Sequence, residues 1–123
     1  MRIVLVVEDD APLRAMYRTA LRMAGFFVQE AGNGFDALRA LDADPPDLVV
    51  LDLGLPGISG YAVRQEIATS AHTHHVPIVV VTGLPGPHDG LQVDRLLTKP
   101  VTPEELVEVV RQCLAGAGGF ARS

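Results

Sequence analysis

The sequence predicts an α/β domain built on a doubly wound parallel sheet of five strands, and three observations predict it. Ile3-Val4-Leu5-Val6-Val7, Leu48-Val49-Val50-Leu51 and Ile78-Val79-Val80-Val81 are short aliphatic runs without polar alternation. That is the pattern of strands covered on both faces. Segments of helical periodicity separate the runs. Strand and helix then alternate along the chain, as parallel crossover units require.

Each element has its own local signals. Leu13, Met16, Tyr17, Ala20, Leu21 and Ala24 repeat at i, i+3, i+4 and predict a first helix, with Asp10 available as its cap and Gly25 placed to end it. Phe26-Phe27-Val28-Gln29-Glu30 is a weaker second strand, nearer an edge. A second helix starts near Asn33 and carries Phe35, Leu38 and Leu41, and a third follows Ser59 with Val63 and Ile67. Arg95-Leu96-Leu97-Thr98 reads as the fifth strand. The last helix has Thr102 as N-cap, Pro103 in the first position and Glu105 to complete a capping box. Its apolar face is Leu106, Val109, Val110, Cys113 and Leu114. Between the fourth and fifth strands, Gly83, Pro85, Gly86, Pro87 and Gly90 oppose a helix, so the helix there should be short or absent.

The 123 residues, 48% of them hydrophobic, suit one folded domain. Its expected extent is residues 1–115, followed by a flexible Gly- and Ala-rich tail over 116–123. No apolar run approaches the roughly 20 residues of a membrane span, and no signal-peptide pattern opens the chain. Cys113 is the sole cysteine, which excludes an internal disulfide; a cytoplasmic location is the expectation. A net charge of −5 speaks against nucleic-acid binding as the main task, and Arg95 with Lys99 makes no phosphate track.

Ligands of open parallel sheets bind beyond the carboxyl ends of the strands, where the strand order reverses. After the first strand come Glu8, Asp9 and Asp10; after the third, Asp52; after the fourth, Thr82 and Gly83; after the fifth, Lys99 and Pro100. In a 2-1-3-4-5 order the first and third strands are neighbours, which brings Asp9 and Asp52 face to face with Glu8 close by. Carboxylates so gathered repel unless a cation joins them, and hard oxygen ligands suit Mg2+. Thr82 and Lys99 flank the same cleft with a hydroxyl and a positive charge. A metal, a cation and a nucleophilic carboxylate are the parts that phosphoryl transfer uses. The acids stand where a nucleotide-binding fold has its Gly-rich loop. Gly54 stands where an aspartyl phosphatase commonly has a second Asp. Taken singly, each residue has an ordinary reading. Asp9 and Asp10 favour a helix N-terminus, Asp52 and Thr82 suit turns, and a lone Lys is usually a solvated charge.

With these residues in place, the chain resembles a response-regulator receiver domain over about residues 2–115, a flavodoxin-like fold similar to the chemotaxis regulators. Val6-Val7-Glu8-Asp9-Asp10-Ala11-Pro12-Leu13-Arg14 resembles the acidic signature of that family, and Asp52-Leu53-Gly54-Leu55-Pro56-Gly57-Ile58-Ser59-Gly60 its phosphoacceptor loop. Thr82-Gly83 and Lys99-Pro100 resemble the other two signatures. The resemblance implies that Asp52 accepts a phosphoryl group from a histidine kinase or histidine phosphotransfer protein. It implies that Asp9, Glu8, Asp52 and the Gly54 carbonyl hold Mg2+. It implies that Thr82 and Lys99 bind phosphoryl oxygens, with Gly83 leaving room. The Lys99-Pro100 bond is expected to be cis, aiming the lysine into the cleft. The residues at Gly54 and Leu84 are expected to affect the lifetime of the phosphoryl group. Such a domain is a conformational switch in a two-component system or phosphorelay, not a turnover enzyme. No direct nucleic-acid or membrane contact is implied, and a monomer or weak dimer is expected.

Two features depart from the family pattern. Leu96 stands where an aromatic residue usually swings inward as the threonine is drawn to the phosphoryl group. The shortened Thr82–Lys99 stretch alters the surface that many relatives use for output or dimerisation. A phosphorylation-independent interaction module is therefore the alternative reading, and an aspartyl-nucleophile phosphatase a second. His72, His74 and His75 read as a solvated loop away from the cleft, His88 and Asp89 as exposed loop residues, and Cys113 as packing.

Overall fold

The unbroken apolar runs become the middle of a sheet. A computed structural model describes residues 2–88 and 90–116. Its elements are β1 (Ile3–Val7), α1 (Ala11–Met23), β2 (Phe27–Ala31), α2 (Gly34–Ala43), β3 (Leu48–Leu51), α3 (Gly60–Thr69), β4 (Ile78–Thr82), β5 (Arg95–Thr98) and α4 (Pro103–Ala115). The five strands are parallel in the order β2-β1-β3-β4-β5. Except for its first residue, Gly116, the expected C-terminal tail lies outside the described residues, as does Asp89.

Successive side chains of a strand point to opposite faces, so each aliphatic run feeds two cores at once. Val4, Val6, Val50, Val79 and Val81 meet Tyr17 and Leu21 of α1 and Leu106, Val109 and Val110 of α4. Leu5, Val7, Val49, Leu51 and Val80 meet Ala37 and Leu41 of α2 and Val63 and Ile67 of α3. Each fully buried aliphatic side chain contributes about 1.5–3 kcal/mol. The strands with no polar alternation are thus the ones that lie between two helical layers.

Caps set the helix starts. Asp10, Asn33, Ser59 and Thr102 each accept a hydrogen bond from the third residue of the helix that follows, at 3.2, 2.7, 3.1 and 3.1 Å. Such a cap is worth about 1 kcal/mol. Helix α1 ends at Gly25, whose φ of +97° suits glycine. The Gly25 N–H donates to the Arg22 carbonyl and the Phe26 N–H to the Leu21 carbonyl, which closes a Schellman turn.

Three sequence expectations need correction. Strand β2 begins one residue later than expected, at Phe27, which is itself exposed at the sheet edge. Phe35 does not join the buried face of α2. Gly34, Ala37 and Leu41 define that face, and Phe35, 60% exposed, stands beside it under the Arg39 guanidinium. Met16 likewise lies at the margin of α1, whose buried residues are Tyr17 and Leu21.

The expected loss of a helix between β4 and β5 is observed among the described residues. Leu91 and Val93 pack partly buried against the α2/α3-side core in its place. Arg64 Nε donates to the Gln92 carbonyl at 3.1 Å and ties the connection to α3. Asp94 Oδ1 accepts from the Ile78 N–H at 2.8 Å and ties it to β4.

Gly60 opens α3 against the backbone that carries Asp52. A Cβ there would run into the Asp52 carbonyl oxygen and the Leu53 Cα, neither of which can yield as a flexible side chain does. Gly60→Ala is therefore expected to destabilise the fold by about 1–3 kcal/mol, read as a lower urea midpoint at unchanged slope.

Candidate phosphoacceptor site

Ladder bonds run one residue past the strands and fix the backbone of the site. The Glu8 N–H donates to the Ala31 carbonyl at 3.0 Å, the Asp52 N–H to Val7 at 3.1 Å and the Lys99 N–H to Thr82 at 2.9 Å. The register pairs Val7 with Leu51 and Thr82 with Thr98. Glu8 and Asp52 therefore emerge side by side, with Thr82 and Lys99 at the ends of the next two strands.

One carboxylate oxygen from each of Glu8, Asp9 and Asp52 lies within 4.8 Å of the others. Glu8 and Asp52 are only 1% and 6% exposed, while Asp9 faces solvent. Lys99 Nζ sits 2.8 Å from Glu8 Oε1 and 3.2 Å from Asp52 Oδ2. Asp52 Oδ1 accepts from the Gly54 N–H at 3.0 Å, so both Asp52 oxygens are oriented by donors. Glu8 Oε2 accepts from the Asp10 N–H at 3.2 Å. Glu8 Oε1 is buried with no hydrogen bond of acceptable angle, since the Lys99 ammonium approaches it only as an ion pair. Lys99 pairs with two of the three carboxylates, and a buried acceptor retains capacity. That donor set fits a hard divalent cation.

The electrostatics follow from burial. Desolvation pushes the Glu8 carboxyl above its usual range and Asp52 adds to the shift, while Lys99 and the Asp10 N–H oppose it. Desolvation pulls Lys99 down, but its contacts with Glu8 and Asp52 outweigh that and raise it. The two directions are compatible: the lysine is held charged, yet one ammonium does not offset the burial of Glu8. Tyr17, buried beneath the site, has its phenol pushed up to about 12, chiefly by burial.

Thr82 is 1% exposed, and its Oγ1 accepts from the Leu84 N–H at 3.1 Å. Leu84 lies over Gly54, with its Cδ2 at 3.6 Å from where a Gly54 Cβ would stand. Gly83 is open: a Cβ there would meet only Lys99 carbons at 3.8 and 3.9 Å. The Lys99-Pro100 peptide is cis, as expected, and so is Gly86-Pro87, which the sequence reading did not foresee.

Glu8, Asp9, Asp52, Gly54, Thr82, Gly83 and Lys99 thus all gather at one edge of the sheet. Sequence reasoning gave no role to Arg14. Its Nη1 donates to the Glu8 carbonyl at 2.8 Å and its Nε pairs with Glu30 at 3.3 Å, which pins the acidic turn to α1 and β2. Its place in the acidic motif was the available signal. His88 is half-buried rather than a free loop residue, in contact with Tyr61 and the Leu84 carbonyl. His72, His74 and His75 are exposed. Cys113 is partly buried against the α1/α4-side core, and burial, then Asp94, push its thiol up against the pull of Arg95.

An α/β domain of this strand order, with acids, a hydroxyl and an ammonium at the carboxyl edge of its sheet, is a receiver-type domain. Residues 4–111 match the response regulator receiver domain family, and the chain belongs to that family. It is 37% identical over 121 residues to the phosphate regulon transcriptional regulatory protein PhoB of Pseudomonas aeruginosa, covering 94% of this chain and 52% of that protein. The chain spans about half the length of the curated relatives it matches. Among solved structures, the signal receiver domain of a signal transduction histidine kinase from Syntrophus aciditrophicus superposes with a TM-score of 0.88 at 25% identity, over 100% of this chain and 97% of that one. A CheY-like receiver domain protein from Methanospirillum hungatei, 20% identical, shares the fold with a TM-score of 0.89 over 97% and 98% of the two chains. Among the described residues, no helix is long and apolar enough to cross a membrane.

A raised carboxyl pKa has a definite sign in stability. The folded state binds the Glu8 proton more tightly than the unfolded chain does. The favourable contribution is thus present below the unfolded pKa and is lost as pH rises through the folded one. Glu8→Gln, measured in EDTA, is expected to raise the melting temperature at pH 7, with the gain vanishing below about pH 4, under the ordinary Glu range. An unchanged or lower melting temperature at pH 7 would contradict the electrostatics described.

Proposed function

We propose that the chain is the phosphoryl-accepting switch of a two-component pathway and that Asp52 is its phosphoacceptor. The observation that carries this reading is the triad of Asp52, Glu8 and Lys99. A nearly buried carboxylate has both oxygens oriented, beside an acid with an unsatisfied buried oxygen and an ammonium within 3.2 Å. The phosphodonor is a phosphohistidine on a kinase or phosphotransfer protein. An Asp52 oxygen forms the new P–O bond as the P–N bond to the donor imidazole breaks, and the leaving nitrogen takes up a proton.

Glu8, Asp9, Asp52 and the Gly54 carbonyl would hold Mg2+, which supplies charge neutralisation at the phosphoryl oxygens when bound. The other roles belong to the chain. The Gly54 N–H fixes one Asp52 oxygen and leaves the other, now held by Lys99, to attack. Lys99 then exchanges Asp52 for a phosphoryl oxygen, as a mobile point charge can. Thr82 donates its hydroxyl to another oxygen. Leu84 over Gly54 shields the acyl phosphate from water and so lengthens its lifetime. The domain extends over residues 1–115, and phosphorylation changes its conformation rather than releasing a product. Relatives with the names of transcriptional regulators are about twice as long, so their output belongs to parts that this match does not reach.

Intact mass spectrometry after incubation with acetyl phosphate and Mg2+ tests the reading. One phosphoryl group is expected on the wild type, and none on Asp52→Asn or in EDTA. Unmodified wild-type protein that still binds Mg2+ would favour the phosphorylation-independent interaction module instead.

A further inference from the structure

The usual coupling partner of Thr82 is missing. Leu96, on β5, has no ring to swing inward and stands 43% exposed. The hydrogen bonds of Thr82 lead elsewhere. Its Oγ1 accepts from the Leu84 N–H at 3.1 Å. The Leu84 carbonyl lies 3.3 Å from His88 Nε2, and His88 Nδ1 lies 2.5 Å from the Tyr61 hydroxyl. A carbonyl only accepts, so Nε2 carries the ring proton, and in the neutral ring Nδ1 then accepts from the Tyr61 O–H. Tyr61 is in the first turn of α3 and 42% exposed.

We propose that Thr82, Leu84, His88 and Tyr61 form a hydrogen-bonded relay that carries phosphorylation of Asp52 to the exposed first turn of α3, which becomes a surface that differs between the two states. The proposal rests on the phosphoacceptor reading given above. Two effects converge on Leu84. When the Thr82 side chain moves its Oγ1 toward a phosphoryl oxygen, the Leu84 N–H that Oγ1 accepts from is drawn along or released. The arriving group also enters beside Gly54, the residue that the Leu84 side chain covers. Leu84 and His88 belong to neither helix nor strand, and rearrangement costs least in such segments. A shift of the Leu84 carbonyl then moves the His88 ring, and with it the partner of the Tyr61 hydroxyl. The chain beyond is anchored by Arg64 to Gln92 and by Asp94 to Ile78, so movement is confined to the stretch before Gln92.

The test is NMR of the full chain with 15N in the histidine rings and the backbone, before and after acetyl phosphate with Mg2+, with intact mass in parallel. The His88 ring nitrogens should shift on phosphorylation while His72, His74 and His75 stay in place as internal references. The Tyr61 and Ala62 amides should shift in the wild type, and this response should be lost in His88→Ala although the mass gain persists. A stationary His88 ring at full mass gain overturns the relay alone, as do α3 amides that respond equally in His88→Ala. No mass gain in the wild type overturns the phosphoacceptor reading, and the relay with it.

Discussion

The constraint on which the site depends is the adjacency of β1 and β3 at the centre of a sheet buried on both faces. That adjacency forces the residues after the two strands together, and those residues are acids. Two unit charges 4 Å apart repel by about 4 kcal/mol at an effective dielectric of 20. Such repulsion would splay the loops if they were free to move. They are not free, because ladder bonds run through Glu8, Asp52 and Lys99 and hold the backbone in register. The charge is met instead by Lys99, delivered from the end of β5 into contact with both Glu8 and Asp52. One ammonium does not offset the burial of Glu8, so desolvation, with the neighbouring Asp52 adding to it, still pushes the Glu8 carboxyl up. The same rigid framework that makes the cleft unfavourable when empty of cations makes it preorganised for one.

Arg14 belongs to this arrangement. A guanidinium bound to the Glu8 carbonyl leaves the cleft carboxylates to Lys99, since it occupies the main chain and Glu30 rather than the cleft. It fixes the acidic turn without neutralising it. An arginine aimed at the carboxylates would have competed with a metal; its planar fork is better suited to a carbonyl and a neighbouring carboxylate outside the site.

Most of this was legible in the sequence for one reason. Strands β1, β3 and β4 are too apolar to be anything but doubly covered, and a doubly covered parallel sheet gathers the residues that follow each strand at one edge. Strand ends and hydrophilic residues after them were enough to collect Glu8, Asp9, Asp52, Thr82 and Lys99. The caps Asp10, Asn33, Ser59 and Thr102 were legible because each acts within one turn. What escaped depends on side-chain direction. Phe35 sits one position from the buried face of α2, a distinction of one helical step that apolar spacing does not resolve. Arg14 meets Glu30 across two elements, and Tyr61 meets His88 across a loop, so neither pair leaves a local pattern. The missing helix was legible from its Pro and Gly, but the contacts that replace it were not.

Those contacts bear on how a receiver without an aromatic on β5 can signal at all. A switch needs an element with two arrangements of similar energy. A helix packed between β4 and β5 would bury apolar area and move as a unit. Here the connection is split. Its second half is fastened by Leu91, Val93, Arg64 and Asp94, whereas its first half, from Gly83 to His88, is held by polar contacts of Leu84 and His88. Hydrogen bonds of this kind exchange at a net cost of about 1 kcal/mol each, because water offers replacements. Apolar burial has no such substitute. The segment between Thr82 and His88, beside Asp52, is therefore the part of this connection that rearranges at least cost, and the sheet and the other helices need not move with it.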